Sequence, residues 1–302
     1  MGLRRADGPN IGDVRLGDGR VIGSVRRGDG TEVWTSFSFE ETDFNATSSG
    51  RDGTKHTWTI PGNYTYRITA YGAQGATGNR SGVGGRGAKM SGEFELTEGE
   101  NIEILVGQEG NTSGNSDGPS GGGGTFVVYE GASDEDDILV IAAGGGGYGV
   151  GDSTNNQDVA DGNTGTSGSD GVGGNETGTG GTNGDGGGDV GNRAGSGGGF
   201  HTNGGDGSES GSGGRAYLNG GQGGDGGSFP DGGFGSGGAT DQSTGWGAAG
   251  GGGGYSGGGG AYSDSNSDEA AGGGGGSYNN GNNQDNESGV RTGDGYVLIE
   301  GI

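Results

Sequence analysis

The sequence predicts a mainly β protein with almost no α-helix: N-terminal hairpins, an antiparallel β-sandwich and a glycine-rich bundle of polyglycine-II helices. Two observations support this prediction. Glycine supplies 91 of the 302 residues and the other apolar residues only 24%, whereas apolar residues other than glycine make up about 40% of globular chains. The segments with strand periodicity are short and end in Gly, Asn or Asp. Hydrogen bonds between glycine segments must therefore replace much of the usual apolar packing.

The first element, residues 1–34, contains an internal repeat. The motif VRxGDG at residues 14–19 recurs at residues 25–30, and Asp-Gly between apolar or β-branched flanks is a strong hairpin signal. Residues 1–30 hold six arginines against four aspartates, although the whole chain is strongly acidic. We expect a docking module that contacts its partner through Arg15, Arg20, Arg26, Arg27 and Trp34. Residues 35–56 are expected to form a linker.

The second element, residues 57–143, has alternating apolar residues in several short runs. HTWTIPGNYTYRITAYG, GEFELTEGENIEILVGQ, TFVVYEG and DDILVIAAG are spaced and interrupted like the strands of an antiparallel sandwich. The closing segment, residues 290–302, resembles one more strand, which we expect to return to this sandwich.

Residues 144–289 form the third element. Glycine occupies 58 of the 138 positions from 144 to 281, in dense runs separated by polar or aromatic residues. A glycine chain in the polyproline II conformation has three residues per turn and no internal hydrogen bonds, so its N–H and C=O groups point sideways. Neighbouring rods without Cβ atoms can approach and exchange those bonds. We therefore expect a bundle of rods and not a flexible tether.

The charge pattern limits the partners. Fifteen cations against 40 acids give a formal net charge of −25, and only two of the cations are lysines. Such a surface repels itself unless salt screens it, which favours a halophilic setting; an acidic extracellular or virion protein from an ordinary host is the alternative. A nucleic-acid partner is not expected. The first ten residues lack an apolar run, and no stretch is long enough to insert into a membrane, so we predict neither a secretion signal nor an anchor.

No pattern of catalytic chemistry is present. The chain has no cysteine and two histidines, and its many GxGxxG matches are expected by chance at this glycine content. We predict no enzymatic activity and no cofactor. The weak candidates for a metal site are Asp134, Asp136 and Asp137, for which acidic solvated loops are the simpler interpretation.

Aromatic residues within the glycine zone are the better functional candidates. Large amphipathic side chains on exposed loops are typical of receptor contacts, and FHTN (200–203) and FPDGGF (229–234) are the preferred loops. The candidate receptor-binding residues are Phe200, His201, Phe229, Phe234, Trp246 and Tyr262. The alternative is that each aromatic residue closes a rod end or fastens the bundle to the sandwich.

Several strings carry a resemblance to known families. YTYRITAYGAQGATG, IEILVGQEG, GGGGTFVVYEG, ILVIAAGGGGYG and GDGYVLIE resemble the glycine-rich domain of anaplastic lymphoma kinase and leukocyte tyrosine kinase ectodomains, over about residues 57–302. This resemblance implies a β-sandwich that carries polyglycine-II helices. The bundle also resembles tail-fibre-tip adhesins of tailed bacteriophages, and LGDGRVIGSVRRGDGTEVW is similar to modules that open minor tail proteins.

Together with the acidic composition, the resemblance implies a virion structural protein of a tailed virus infecting haloarchaea, located in a tail fibre or baseplate tip. Its expected partners are other virion proteins, bound through the N-terminus, and a host receptor, either glycan or protein. A homo-oligomer, with a trimer favoured, is expected. A halophilic cell-surface or extracellular structural protein and a capsid decoration or spike are the alternatives.

Overall fold

The structure is a computed structural model that describes residues 24–26, 32–35, 41–78, 82–112, 118–149, 156–191, 193–207, 211–241, 247–264 and 270–302. It is mainly β, as predicted. Within these residues the helical elements are a four-residue α-helix, α1 (Gln157–Ala160), and 3-10 helices at Glu135–Asp137 and Tyr217–Asn219. No helix in this part of the chain is long and apolar enough to cross a membrane.

The strands are numbered in chain order. They are β1 (Ser24–Arg26), β2 (Glu32–Thr35), β3 (Thr42–Asn45), β4 (His56–Thr59), β5 (Tyr64–Tyr71), β6 (Gly87–Leu96), β7 (Asn101–Leu105), β8 (Thr125–Tyr129), β9 (Ile138–Ala142), β10 (Val172–Gly173), β11 (Glu176–Thr177), β12 (Gly247–Ala249), β13 (Ala261–Ser263), β14 (Ala270–Ala271), β15 (Tyr278–Asn279), β16 (Glu287–Arg291) and β17 (Tyr296–Gly301).

Two five-stranded antiparallel sheets form the sandwich. One has the order β16-β6-β5-β17-β3 and is called the open sheet; the other has the order β15-β9-β8-β7-β4 and is called the covered sheet. Their facing sides share one apolar cluster, to which β5 contributes Ile68 and β9 contributes Val140, both fully buried. The outer side of the open sheet carries exposed residues such as Arg67 and Glu95.

The covered sheet is buried on both sides. In β8, Val127 faces the open sheet while Phe126 and Val128 face the other way, into a second cluster. That second cluster contains aromatic side chains from the glycine zone. Burial on both faces explains why TFVVY and ILVIA are almost continuous apolar runs and not alternating ones.

Element bounds differ from the expected ones in two places. Residues 35–56, expected to be a linker, contain β3, which pairs with β17 and completes the open sheet. Its sequence, TDFN, is too short and polar to stand out as a strand. Strand β15 and the first three residues of β16 also come from the part assigned to the bundle, and each of these two strands forms an edge of one sheet. The closing strand β17 lies between β5 and β3, where it joins the sandwich as expected.

The N-terminal repeat is described only in part. Strands β1 and β2 pair antiparallel, with Val25 opposite Trp34, which agrees with a hairpin around the second VRxGDG motif. The first motif, at residues 14–19, lies outside the described residues.

Glycine segments leave the sandwich at one end of its strands. Strands β5, β7 and β9 end there, and β6, β8 and β17 begin there, because paired residues such as Tyr71 and Lys89 or Leu105 and Phe126 lie opposite each other. The bundle therefore begins with residue 72 rather than 144. We call each glycine segment a rod, and we call the end of the rods away from the sandwich the distal end.

The rod Gly250–Gly254 shows the polyglycine-II pattern. The N–H groups of Gly250 and Gly253 donate to residues 119 and 122 of one neighbour, both at 3.0 Å. Those of Gly251 and Gly254 donate to residues 195 and 198 of a second neighbour, and Gly252 donates to Gly273 of a third. Every third N–H thus points in the same direction, as three residues per turn require.

The carbonyl groups of this rod bind three further neighbours. Gly250 and Gly253 accept from residues 147 and 144, Gly251 accepts from Gly238 and Gly252 accepts from Gly258, all at 2.8 Å. The rod is therefore surrounded by six hydrogen-bonded neighbours, which satisfies its buried backbone without any side chain.

Side chains cannot enter this packing. A Cβ atom built at Gly252 would overlap the carbonyl oxygen of Gly144, and one at Gly121 would overlap that of Gly251. Glycine is required here because of this close approach of backbones, and not because of left-handed φ angles.

Candidate functional site

Two of the predicted receptor-binding residues lie on the outer side of the covered sheet. Phe200 and Phe234 are 0% and 1% exposed, and they pack with Tyr217 and Tyr255 against this sheet. The Phe200 and Tyr217 rings stack with centroids 5.3 Å apart and planes 7° from parallel. We call this set of four aromatic residues the aromatic layer.

The prediction that Phe200, Phe234 and Tyr262 lie on exposed loops is wrong. Tyr262 is 3% exposed and belongs to a small cluster with Val190 and Ala194. The chain has few large apolar side chains, and burial of each removes much apolar surface from water. These residues therefore serve the alternative role given by the sequence, which is to hold the bundle together and to the sandwich.

The remaining candidates have different positions. Phe229 and His201 are half-buried, and Trp246 lies outside the described residues. The ring centroids of His201 and Phe200 are 5.0 Å apart in an edge-to-face contact, and Nε2 of His201 is 3.9 Å from Oε1 of Glu135. The structure brings Phe200 and His201 together with Phe234 near the covered sheet, but it places Tyr262 in a separate cluster.

Each tyrosine of the aromatic layer donates its hydroxyl to a carboxylate. Tyr217 donates to Glu103, which also accepts from Nζ of Lys55 at 2.7 Å, and that Nζ lies 3.9 Å from the centre of the Tyr217 ring. Tyr255 donates to Glu135. Burial, and then the hydrogen bond to each carboxylate, raises the pKa of both phenols far above the ordinary value. Both tyrosines therefore stay neutral donors that fix the bundle on the sheet.

Two of the three candidate metal residues have structural partners instead. Asp134 caps the 3-10 helix Glu135–Asp137 by accepting from the N–H of Asp136, and Asp137 accepts from the N–H groups of Ser133 and Asp134. Among the residues that the structure describes, no group of three or more His, Cys, Asp or Glu side chains could hold a metal ion.

The predicted docking residues are described least. Arg26 and Trp34 lie on the paired strands β1 and β2, and only their backbone is described. Arg15, Arg20 and Arg27 lie outside the described residues.

The distal end brings together chain segments that are far apart in sequence. Gly78 donates to Tyr148 O, Tyr148 bridges to Ala271, and Thr240 bridges to Ala194 while its hydroxyl donates to Gly118 O at 2.6 Å. The short sheets β10-β14 and β11-β13-β12 also lie here. The rods that flank residues 79–81, 113–117, 242–246 and 265–269 therefore all end on one surface.

The exposed acidic and polar side chains at this end include Asn175, Glu176, Asp189 and Asp264. Val83, shortly after residues 79–81, is an exposed apolar side chain at the same end. Beneath them lie small apolar clusters such as Val190, Ala194, Ala248 and Tyr262. The exposed side chains therefore stand on a surface fixed by backbone pairing.

Sequence reasoning missed both the distal end and the partners of the tyrosines. Glu103 and Glu135 are distant from Tyr217 and Tyr255 in sequence, and no local pattern connects them. The distal end could have been found only by following the direction of each rod away from its strand.

A comparison of the chain with known protein families finds no family that matches.

Proposed function

We propose that the protein is a virion structural protein of a tailed virus, a tail-fibre or baseplate-tip adhesin that presents its distal end to the host surface. The observation that carries the proposal is that the rods lie side by side, leave the sandwich at one end of its strands and end together on one mainly polar surface. A bundle with six hydrogen-bonded neighbours around a central rod is a rigid support for such a surface. Binding residues on a rigid support lose little entropy when a ligand binds.

The receptor contacts in this proposal lie at the distal end and not at FHTN or FPDGGF. Substitutions at exposed distal positions such as Glu176 and Asp264 should leave the rod hydrogen bonds intact, because these bonds join backbone groups and both side chains are exposed. Residues 242–246, QSTGW, join two rods that end on this surface and contain Trp246. Tryptophan is enriched among residues that dominate binding energies.

The N-terminal segment is assigned the docking role. Its arginines contrast with the acidic remainder of the chain, and β1 and β2 pair only with each other among the described strands. A small module of this kind can bind another virion protein without disturbing the sandwich.

The test uses particles assembled with variant protein. We expect replacement of residues 242–246 by a serine-glycine sequence to leave assembly intact and to reduce adsorption to host cells at least about tenfold. Thr57→Ser plus Thr59→Ser, on the exposed side of β4, is the control and should adsorb normally. Unchanged adsorption by the 242–246 variant, together with the Glu176→Gln and Asp264→Asn variants, would contradict the proposal.

Deletion of residues 1–34 tests the docking role. The shortened chain should fold, because the described rods and both sheets begin after residue 40, but it should be absent from purified particles. Incorporation at the normal level would remove the docking assignment.

A further inference from the structure

A groove of about 320 Å³ lies at the edge of the sandwich formed by β6 and β9, near the end remote from the rods. Phe94, Leu96 and Leu139 of the sandwich core reach it with only 4–7% of their surface exposed, so its lining is more polar than apolar. Tyr129 forms one side. Pockets for small molecules begin at about 300 Å³. The groove has the size for one small ligand unit.

The segment Asn280–Asn282 closes the groove where the chain crosses from the covered sheet to the open sheet. The N–H of Asn280 donates to Leu139 O at 3.0 Å, and Asn282 exchanges two backbone hydrogen bonds with Glu93, at 2.9 and 2.8 Å. A Cβ atom at Gly281 would lie 2.7 Å from Cζ of Phe94, so only glycine allows this close approach to β6. The crossing segment is thus held by both sheets, and this wall is formed before any ligand arrives.

Four polar residues that line the groove have side chains without a hydrogen-bond partner among the described residues. They are Asn280, Asn282, Asp136 and Glu95, the last with its side chain on the outer side of the open sheet. Amides both donate and accept, whereas carboxylates accept. A fifth polar residue, Glu93, already forms an ion pair with Arg67 at 2.6 Å, so we count it as part of the wall and not as a ligand contact.

We propose that this groove binds one unit of a neutral saccharide. Sugar hydroxyls can donate to the Asp136 carboxylate and both donate to and accept from the amides of Asn280 and Asn282. Glu93, Glu95 and Asp136 line the groove, and no Lys or Arg does so within the described residues. This charge opposes uronate, sulfate and phosphate groups. The site is separate from the distal end and does not depend on the function proposed there.

Titrations of the purified chain test the inference. In about 2 M NaCl, which screens the net charge, the probes are methyl glycosides of glucose, galactose, mannose and N-acetylglucosamine, with glucuronate and calcium chloride for comparison. Nuclear magnetic resonance shifts of backbone amides report the site. We expect at least one neutral glycoside to bind with a dissociation constant of about 1 mM or below and to shift residues 280–282. Glucuronate should bind at least about tenfold more weakly.

Variants separate the groove from the rest of the surface. Asn280→Ala with Asn282→Ala should weaken the glycoside affinity at least about tenfold, and Glu98→Gln, an exposed acid in the β6–β7 turn, should not change it. Asp136→Asn, at an exposed position whose carboxylate has no hydrogen-bond partner among the described residues, provides the same test if the double variant does not fold. The inference is overturned if no neutral glycoside binds, if calcium alone binds at residues 280–282, or if the groove variants bind like the wild type. Because the titrations use no particles, their failure leaves the adsorption experiment unaffected.

Discussion

The sandwich and the rods are two cores made from one continuous chain. Strand β9 (Ile138–Ala142) buries all five of its side chains between apolar layers, and the next residues form a rod whose buried groups are backbone N–H and C=O. Each net hydrogen bond contributes about 0.5–1.5 kcal/mol, which offsets the extra cost of about 0.5–1 kcal/mol that ordering a glycine has relative to alanine. The comparison shows that a chain can bury its interior without apolar side chains if its backbone is bonded in every direction.

The two cores also differ in what they tolerate. A sandwich core absorbs a change of one or two methylene groups by local repacking. The rods have no such freedom, because the atoms in contact are carbonyl oxygens of neighbouring backbones. An enlarged side chain should therefore destabilise the protein much more in the rods than in the sandwich core.

The largest effect is expected for Gly252→Val, in the central rod. Its side chain would overlap the carbonyl group of Gly144 and separate rods that exchange hydrogen bonds. We expect a loss of more than about 4 kcal/mol in the free energy of unfolding. Hydrogen exchange should show loss of protection for rod amides, with β5 and β6 still protected.

Gly165→Ala is the matched control. Its added Cβ would have Asn163 Oδ1, at 3.5 Å, as its nearest neighbour, which is ordinary contact. This change should be neutral or stabilise the protein by up to about 1 kcal/mol. Equal effects of the two substitutions would mean that the rods are not close-packed.

The junction of the two cores is tested by Phe200→Ala. Removing this fully buried ring leaves a cavity beside Tyr217 in the aromatic layer, and we expect a loss of about 3–5 kcal/mol in denaturant titrations. Phe229→Ala, at a half-buried position, should cost clearly less. If Phe200→Ala left stability unchanged but removed adsorption, the exposed-loop hypothesis would be restored.

An alkaline transition of intermediate size should come from the aromatic layer. Since burial and the bond to Glu103 raise the pKa of Tyr217, the phenol stays protonated in the folded chain but ionises above about pH 10 when unfolded. Its contribution is therefore complete below pH 10 and is lost above it, by about 1.4 kcal/mol per pH unit. Urea titrations at about pH 9 and pH 11 should show a smaller decrease for Tyr217→Phe than for the wild type.

The smallest effect is expected for an ion pair on the open sheet. Lys89 binds Asp285 at 2.6 Å and Glu287 at 3.3 Å, both well exposed. Lys89→Ala should cost about 0.2–1 kcal/mol at low salt and less at high salt.

Salt should also stabilise the wild-type chain as a whole. Its melting temperature should rise from about 0.1 M to 2 M salt as the net charge of −25 is screened. A flat or falling curve would contradict the halophilic interpretation.

The fold could be predicted well where composition alone determines it. TFVVY and ILVIA are apolar enough to be strands in any context, and GGGGYSGGGG cannot pack except as rods. Strand β3 could not be found, since an edge strand of four residues needs only one apolar side chain, Phe44, to face the core.

The candidate site could be predicted less well. The sequence shows that Phe200 and Tyr262 are rare large side chains in a glycine zone, but burial and exposure are decided by where the rods end. Tyr255 illustrates the same limit: it has the fastening role given as the alternative for the aromatic residues, yet no local sequence pattern predicts its partner Glu135, 120 residues away.

The uniformity of the rods makes their alignment a separate problem. A polyglycine-II rod that slid by three residues, about 9 Å, would again point every N–H in its original direction, so the hydrogen bonds cannot distinguish the two positions. The residues that can are those at rod ends, such as Tyr255 after Gly254 and Tyr148 between Gly147 and Gly149. These few bulky side chains set the register, and misfolded forms of the bundle should be displaced in steps of three residues.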